Sequence, residues 1–392
     1  MEKTRCTSQI YNMPTTTLLF LLFLCFQTVE CQEPKPQPPS QSYSNPPRFD
    51  NGPKRIVVSV FLGALTGFSG AIVFAFMVRF FIRYMNTTPI LKGSVVFSPE
   101  INRKTLQSAL SNETHHLGSS PNGTYYLTPL DNGFTVAVKR LEPTVGCSPE
   151  TQSKSVKRKI QQELEKLANL NHPNVMILRA YVRETERFYL VYDYVPTGSL
   201  EDAMNRVREN QLELSWEVRL RIAVGVIKGL QHLHCSCVPQ ILHYNLKPRN
   251  VILDSEFEPR LTDSGLGLLM PNLDRASSGY SAPECFQDCR YTDKSDIFSF
   301  GMILGVLLTG RDPTDPFFGE AVSGGSLGRW LRHLQQAGEA REALDKSILG
   351  EQVEEDEMLM AVRIAVVCLS DMPTDRPSSD QLVHMLTQLH SF

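Results

Sequence analysis

A lysine ends the alternating β-branched run Phe134-Thr-Val-Ala-Val-Lys139. Glu163 follows inside a helical stretch, then the polar run His243-Tyr-Asn-Leu-Lys-Pro-Arg-Asn250, then Asp263-Ser-Gly265. Upstream, Gly118-Ser-Ser-Pro-Asn-Gly123 offers two positions of bare backbone. Amines, amides and carboxylates of this kind can hold a polyphosphate and a divalent ion. Phosphoryl transfer needs little more: a loop over the phosphates, a lysine, bound Mg²⁺ and a carboxylate that takes the hydroxyl proton. A zinc site is not indicated, since Cys235-x-Cys237 and Cys285-x3-Cys289 lack nearby histidines at zinc spacing.

Positioning such groups requires strands early and helices late. The turn Asp131-Asn132-Gly133 opens the Lys139 strand, and Phe188-Tyr-Leu-Val-Tyr192 reads as a buried strand. Ser155–Leu170 places Val156, Ile160, Leu164 and Leu167 on one helical face. Val218–Leu233 and Ile297–Leu308 are strongly apolar helices, the second apolar on nearly every side. The 392 residues, with 39 Lys+Arg against 42 Asp+Glu and 42% hydrophobic content, allow one large folded unit plus something small. That balance excludes an acidic disordered chain, a collagen-like repeat and a polytopic membrane protein. A pI near 6.3 argues against nucleic acid as a partner. Nine cysteines are too dilute for a disulfide scaffold.

Residues 1–31 read as a cleaved signal peptide. Lys3 and Arg5 precede an apolar run, Leu18–Phe26, too short to cross a hydrocarbon core, with Val29-Glu30-Cys31 at the cleavage site. Residues 32–55 hold seven prolines and are expected to be extended, outside, and too short for a ligand-binding domain. Residues 56–78 carry no charge and read as a transmembrane helix. Lys54 and Arg55 lie before it and Arg79 and Arg83 after it, so a cytosolic C-terminal bulk rests on the signal peptide rather than on flanking charge. Within the span Ser59, Gly63, Gly67, Ala71 and Ala75 recur every fourth residue, a ladder that lets a second helix approach closely. The sequons at Asn86, Asn112 and Asn122 follow the span and are expected to stay bare. Residues 79–110 read as a juxtamembrane segment and 111–392 as the large cytosolic unit.

Val136-Ala-Val-Lys139, Glu163, Leu190-Val-Tyr-Asp-Tyr-Val-Pro-Thr-Gly-Ser-Leu200, the His243–Asn250 run, Asp263-Ser-Gly265, Ala282-Pro-Glu284, Asp296-Ile-Phe-Ser-Phe-Gly301 and Asp375-Arg376-Pro377 stand in protein-kinase order. The chain resembles the plant leucine-rich-repeat receptor-like kinases, without the repeats. That resemblance implies an α+β, bilobal protein-kinase fold, a small β-rich lobe and a large helical lobe, behind a single transmembrane helix. It implies that Lys139 reaches the α- and β-phosphates with Glu163 as its ion-pair partner. Leu117, Gly118, Ser120, Gly123, Tyr194 and Val195 would surround a weakly held nucleotide. Asn250 and Asp263 would hold Mg²⁺ if that nucleotide binds, and Lys247 would neutralise developing charge. Glu284 and Arg376 match a buried ion pair of the large lobe, and Asp296 an anchor of the catalytic-loop backbone.

The departures from that family are chemical. Ser120 stands for the middle glycine of the phosphate loop and Pro121 removes a backbone donor, so Mg-ATP affinity is expected to be weak and no cofactor is required. Asn245 stands where the family has its catalytic-base aspartate, and losing a general base typically costs about 10²–10⁴ in rate. Tyr244 replaces an arginine that pairs with a phosphorylated activation loop. Ser264 replaces the phenylalanine that couples the metal-binding aspartate to the Glu163 helix. Only 16 residues separate Gly265 from Ala282. The expectation is a pseudokinase.

The resemblance extends to role: a membrane-anchored signalling scaffold or co-receptor in plant CLAVATA-type peptide signalling and meristem maintenance. Its expected partner is a leucine-rich-repeat receptor-like protein lacking a kinase domain, met through the membrane helix. Self-association and other receptor kinases are further partners. Its expected location is the plasma membrane as a single-pass type I protein, or the endoplasmic reticulum when unpartnered. Two other readings remain: a weakly active serine/threonine kinase using Lys139, Asp263, Asn250 and Lys247, and a nucleotide-responsive switch without phosphotransfer. Ser277 and Ser278 read as turn residues, with modification by another kinase as the alternative.

Overall fold

The computed structural model describes residues 52–85, 93–99, 101–111, 115–120, 123–141, 154–183, 188–266, 279–287, 290–318, 325–349 and 352–389. The expectations for residues 1–51, the three sequons, Pro121, Ser277 and Ser278 lie outside these residues.

The chain divides into two compact units, one ending at Tyr84 and one running from Met85 onward. The first contains helix α1 (Gly52–Met85), whose segment Ile56–Phe81 is 26 residues long and apolar enough to cross a membrane. Its start corrects the expectation of an extended chain up to Arg55, because Pro53, Lys54 and Arg55 are already helical. A proline in the first turn loses only an N–H that has no helical acceptor there. Nothing lies within 4 Å of where a Cβ would stand on Gly63 or Gly67.

In the second unit, strands β1 (Gly93–Val96), β2 (His115–Ser120), β3 (Gly123–Pro129), β4 (Thr135–Leu141), β5 (Ala180–Arg183) and β6 (Phe188–Asp193) form one sheet in the order β1-β5-β6-β4-β3-β2. Every pairing is antiparallel. Alternation along β4 sends Val136 and Val138 to one face. There helix α2 (Arg103–Ser111) covers them through Leu106 and Leu110, which stand one helical turn apart. Ala137 and Lys139 point the other way. On that side helix α3 (Lys154–Ala168) adds Leu164 and Leu167 to the main core.

The small lobe therefore begins earlier than the sequence suggested. Residues assigned to a juxtamembrane segment supply the edge strand β1, whose four residues all pair with β5. They also supply the lid α2. A four-residue Gly-Ser-Val-Val strand is too short to show an alternating pattern. Leu106 is fully buried at 0% exposure. Leu106→Ala should cost about 2–5 kcal/mol in urea denaturation. A change within about 0.5 kcal/mol would show that the lid is dispensable.

The large lobe is helical apart from the hairpin β7 (Val251–Leu253) and β8 (Pro259–Leu261). Its helices are α4 (Leu200–Arg208), α5 (Trp216–Gln231), α6 (Glu284–Gln287), α7 (Asp293–Thr309), α8 (Leu327–Ala337), α9 (Gln352–Cys368) and α10 (Ser379–Leu389). Helix α7 is buried on nearly every side, as its composition required, and packs on α5, α8 and α9. Its start carries a reciprocal cap between Thr292 and Ser295. At Gly301 a Cβ would stand 2.6 Å from Cys368 Cβ, so only glycine permits this approach of α7 to α9.

Candidate functional site

The loop between α5 and β7 is built around one carboxylate. Asp296, on α7 and at 0% exposure, accepts the backbone N–H of His243 at 2.8 Å and that of Tyr244 at 3.1 Å. Tyr291 donates its hydroxyl at 2.6 Å, and His234 Nε2 lies 2.9 Å away. These bonds hold Tyr244 at φ +69°, a left-handed conformation that a bulky residue adopts only when its surroundings enforce it. Asn245 follows directly, and Asn250 Nδ2 donates to its carbonyl at 2.7 Å. The loop backbone is thus held at His243, Tyr244 and Asn245, while the side chain at its centre is an amide. The Tyr244 ring rests on Tyr291, with centroids 4.8 Å apart, where the resemblance implied a phosphate-seeking arginine in other members.

Across from this loop Asp263 stands at φ +65° and Gly265 at +74°. A Cβ on Gly265 would lie 2.9 Å from Leu167 of α3, so the segment passes close beneath that helix. Ser264 is buried, and its hydroxyl has no hydrogen-bond partner. Lys139 forms a buried ion pair with Asp263 Oδ2, both side chains being 3% exposed. This corrects the expected Lys139–Glu163 pair: Glu163 bonds instead to Lys166, one turn along α3, at 2.9 Å. A buried ammonium needs a carboxylate close by, and Asp263 stands nearer. With serine at position 264, no ring ties α3 to Asp263.

Of the other expected site residues, Tyr194 and Val195 line the cleft between the lobes, which measures about 350 Å³ and is also lined by Ala137, Tyr192, Ile252 and Thr262. Leu117, Gly118, Ser120 and Gly123 are not among the residues that line it. Leu117, Gly118 and Ser120 lie on β2, where the pairing with β3 slips at Leu117, and Gly123 opens β3. Lys247 shares the field of Asp263 and Lys139. Burial, Arg249 and Lys139 lower its pKa against the opposing pull of Asp263 and Glu201.

Two tyrosines that the sequence reading passed over close this cleft. Tyr192 is buried at its back. Tyr125, on β3, donates its hydroxyl to Asp263 Oδ2 at 3.0 Å, and the Lys139 ammonium lies 5.0 Å from its ring centroid. Burial, reinforced by the Asp263 charge, pushes the Tyr125 phenol well above its ordinary range, so it remains a donor. The signal was present in the hairpin. A turn at Asp131-Asn132-Gly133 brings Tyr125 directly opposite Lys139.

The fold-family cofactor, a metal–nucleotide, fits this arrangement poorly. The lysine meant for phosphates is paired with the carboxylate meant for Mg²⁺, and a phenol fills the remaining hydrogen-bonding position on the same oxygen. Asp263 Oδ1, by contrast, is buried without a hydrogen-bond partner and stays open to a cation, and Asn250 uses only its amide nitrogen on the loop.

A family model described as protein kinase domain matches residues 111–386. The chain is 69% identical over 318 residues to the inactive leucine-rich repeat receptor-like protein kinase CORYNE of Arabidopsis thaliana, covering 81% of this chain and 79% of that protein. It is 35% identical over 318 residues to the leucine-rich repeat receptor-like serine/threonine/tyrosine-protein kinase SOBIR1 of the same plant, and spans 49% of that longer protein and 76% of itself in the match. Among solved structures it resembles the pseudokinase domain of BIR2, an immune regulator of the RLK/Pelle family. That match has a TM-score of 0.64 and 29% identity, over 79% of this chain and 92% of that one. An intact scaffold that presents an amide where phosphoryl transfer needs a base thus has its counterpart in relatives named inactive: the chain belongs to the protein kinase domain family, as a receptor-like pseudokinase.

Proposed function

We propose that this chain is a membrane-anchored signalling scaffold that pairs through α1 with a leucine-rich-repeat receptor-like protein lacking its own kinase domain. The setting is CLAVATA-type peptide signalling at the plant plasma membrane, with the endoplasmic reticulum as the location of the unpartnered protein. One observation carries the reading: Asn245, an amide where a base would be needed, sits in a loop that Asp296 and Asn250 hold by hydrogen bonds. Keeping the loop and losing its base is what a surface used for binding requires. The ladder Ser59, Gly63, Gly67, Ala71 and Ala75 supports α1 as the pairing element, because missing side-chain bulk lets two helix backbones meet. A leader over residues 1–31 orients the larger unit to the cytosol. The similarity to CORYNE supports a place in receptor complexes.

The test uses the full-length protein in detergent or membranes, with two readouts. Phosphotransfer should be absent, with Lys139→Met as the contamination control; signal that depends on Lys139 would make the protein an enzyme. Association with a kinase-less leucine-rich-repeat receptor-like protein should fall in the double variant Gly63→Leu, Gly67→Leu. Unchanged association would remove α1 as the interface.

A further inference from the structure

Away from the cleft, the loop between α3 and β5 ties the small lobe to the large one. Asn174, 6% exposed, donates its side-chain amide to the Pro259 carbonyl at 2.9 Å and accepts the Leu261 N–H at 2.8 Å. The Met176 N–H returns to the Leu261 carbonyl, also at 2.8 Å. Glycines on α5 make room for this approach: a Cβ on Gly225 would stand 2.8 Å from the Asn174 side-chain nitrogen, and one on Gly229 2.9 Å from the Asn174 carbonyl oxygen. One turn beyond Gly229, on the same helical face, the His232 ring stacks on His172, with centroids 4.8 Å apart and planes at 20°. His172 is also the acceptor that shapes the loop, since its Nδ1 takes the backbone N–H of Asn174 at 3.1 Å. That bond requires a neutral ring with its proton on Nε2, because an imidazolium has no acceptor.

We propose that the stacked pair His172–His232 is an acid-released clasp between the lobes: a proton on His172 ends its bond to Asn174 and frees the α3–β5 loop from β8. The charged groups around this ring are basic or already paired. From α5 come His232 and Lys228; burial first, then these two, lower the pKa of His172. From β8, Pro259 and Leu261 meet the loop, and Arg260 is paired with Asp254. At the end of α3, Lys166 is paired with Glu163, and on α10 Asp380 accepts from Gln231 of α5. Protonation thus sets a cation beside two basic groups and removes an acceptor in the same step. The closed loop takes up a proton less readily than the open one, so the clasp is closed above about pH 6.5 and opens as pH falls below it. Release loosens the grip of the small lobe on the segment that leads from β8 to Asp263. The clasp is independent of pairing through α1.

The experiment is hydrogen–deuterium exchange of the full-length protein in detergent, about one pH unit above and one below the free-histidine value near 6.5, corrected for intrinsic exchange, for wild type and His172→Asn. An asparagine side chain accepts the N–H two residues on, as in an Asx turn, and carries no charge at either pH. In wild type, protection of segments 172–178 and 259–263 should fall by about 5-fold at the lower pH, the weight of one hydrogen bond, while helix α7 keeps its protection. His172→Asn should show the same protection at both. Wild type that keeps its protection, or His172→Asn that loses as much as wild type, overturns the clasp. An equal loss in α7 would trace the effect to acid unfolding of the whole lobe, for which His243 suffices, and overturns it too. Should His172→Asn not fold, His232→Phe keeps a ring in the stack and removes one basic group, so it should lose less protection than wild type; an equal or larger loss sinks the inference.

Discussion

Asp296→Asn should lower the stability of the folded protein by about 3–5 kcal/mol, on the order of 10 °C in melting temperature. The substitution keeps shape and volume, so the loss is electrostatic. Asp296 accepts from two backbone N–H groups, a phenol and an imidazole without exposure to water. An amide has one acceptor oxygen, and its NH₂ would face donors. Each buried donor left without an acceptor costs about 1–3 kcal/mol. The left-handed Tyr244, pinned through its own N–H, would relax, and Asn245 with it.

The same carboxylate makes stability fall in acid. Burial alone would raise its pKa, yet the His234 hydrogen bond and charge, the His243 charge and the Tyr291 bond outweigh burial and hold the group below its usual range. A carboxyl so lowered contributes stability above its unfolded pKa, near 4, that is lost as pH falls through the folded value. His243 acts earlier in the same direction. Burial lowers its pKa, so acidification below about pH 6.5 favours the unfolded chain, which takes up the proton first. Melting temperature should therefore decline in two stages between pH 8 and pH 3, at first modestly and then through the carboxylate range. The second stage should be smaller in Asp296→Asn. An equal second stage in both proteins would show that Asp296 is not the group that titrates.

Arg376→Met should cost a comparable amount, about 3–5 kcal/mol. Arg376 is 1% exposed. Its guanidinium forms a two-pronged pair with Glu284 at 2.7 and 2.9 Å and donates to the carbonyls of Ser370 and Lys294. Methionine would fill most of the volume but strand the Glu284 carboxylate, whose pKa these bonds hold down against the effect of burial. The double variant Arg376→Met, Glu284→Leu removes both charges and should recover much of the loss, because a buried pair is dearer to break than to replace. Urea denaturation of the two single variants and the double variant closes the cycle. A double variant as unstable as Arg376→Met alone would shift the cause to the two carbonyls. Either way the residues with the largest expected effects are those that hold the large lobe together.

Much of this molecule was legible along the chain. The spacing of Val156, Ile160, Leu164 and Leu167, the alternation into Lys139 and the all-apolar run at Ile297–Leu308 each report one element's own periodicity, and each element formed. The absent base at Asn245 and the anchoring roles of Asp296, Glu284 and Arg376 followed from residue type in an ordered set of motifs. What the chain alone did not reveal were relations between groups far apart in sequence. Residues 93–110 looked like a tether because β1 and α2 acquire their meaning only against β5 and the outer face of the sheet. Lys139 was matched to the carboxylate of a helix, although a buried ammonium takes whichever carboxylate the packing brings nearest, and that was Asp263. Tyr125, unremarkable in the sequence, became the third member of that cluster because strand register sets it across from Lys139 and inter-lobe packing brings Asp263 beneath both. Periodicity and residue chemistry are local and survive in one dimension; the choice among ion-pair partners depends on distances that exist only once both lobes have closed around them.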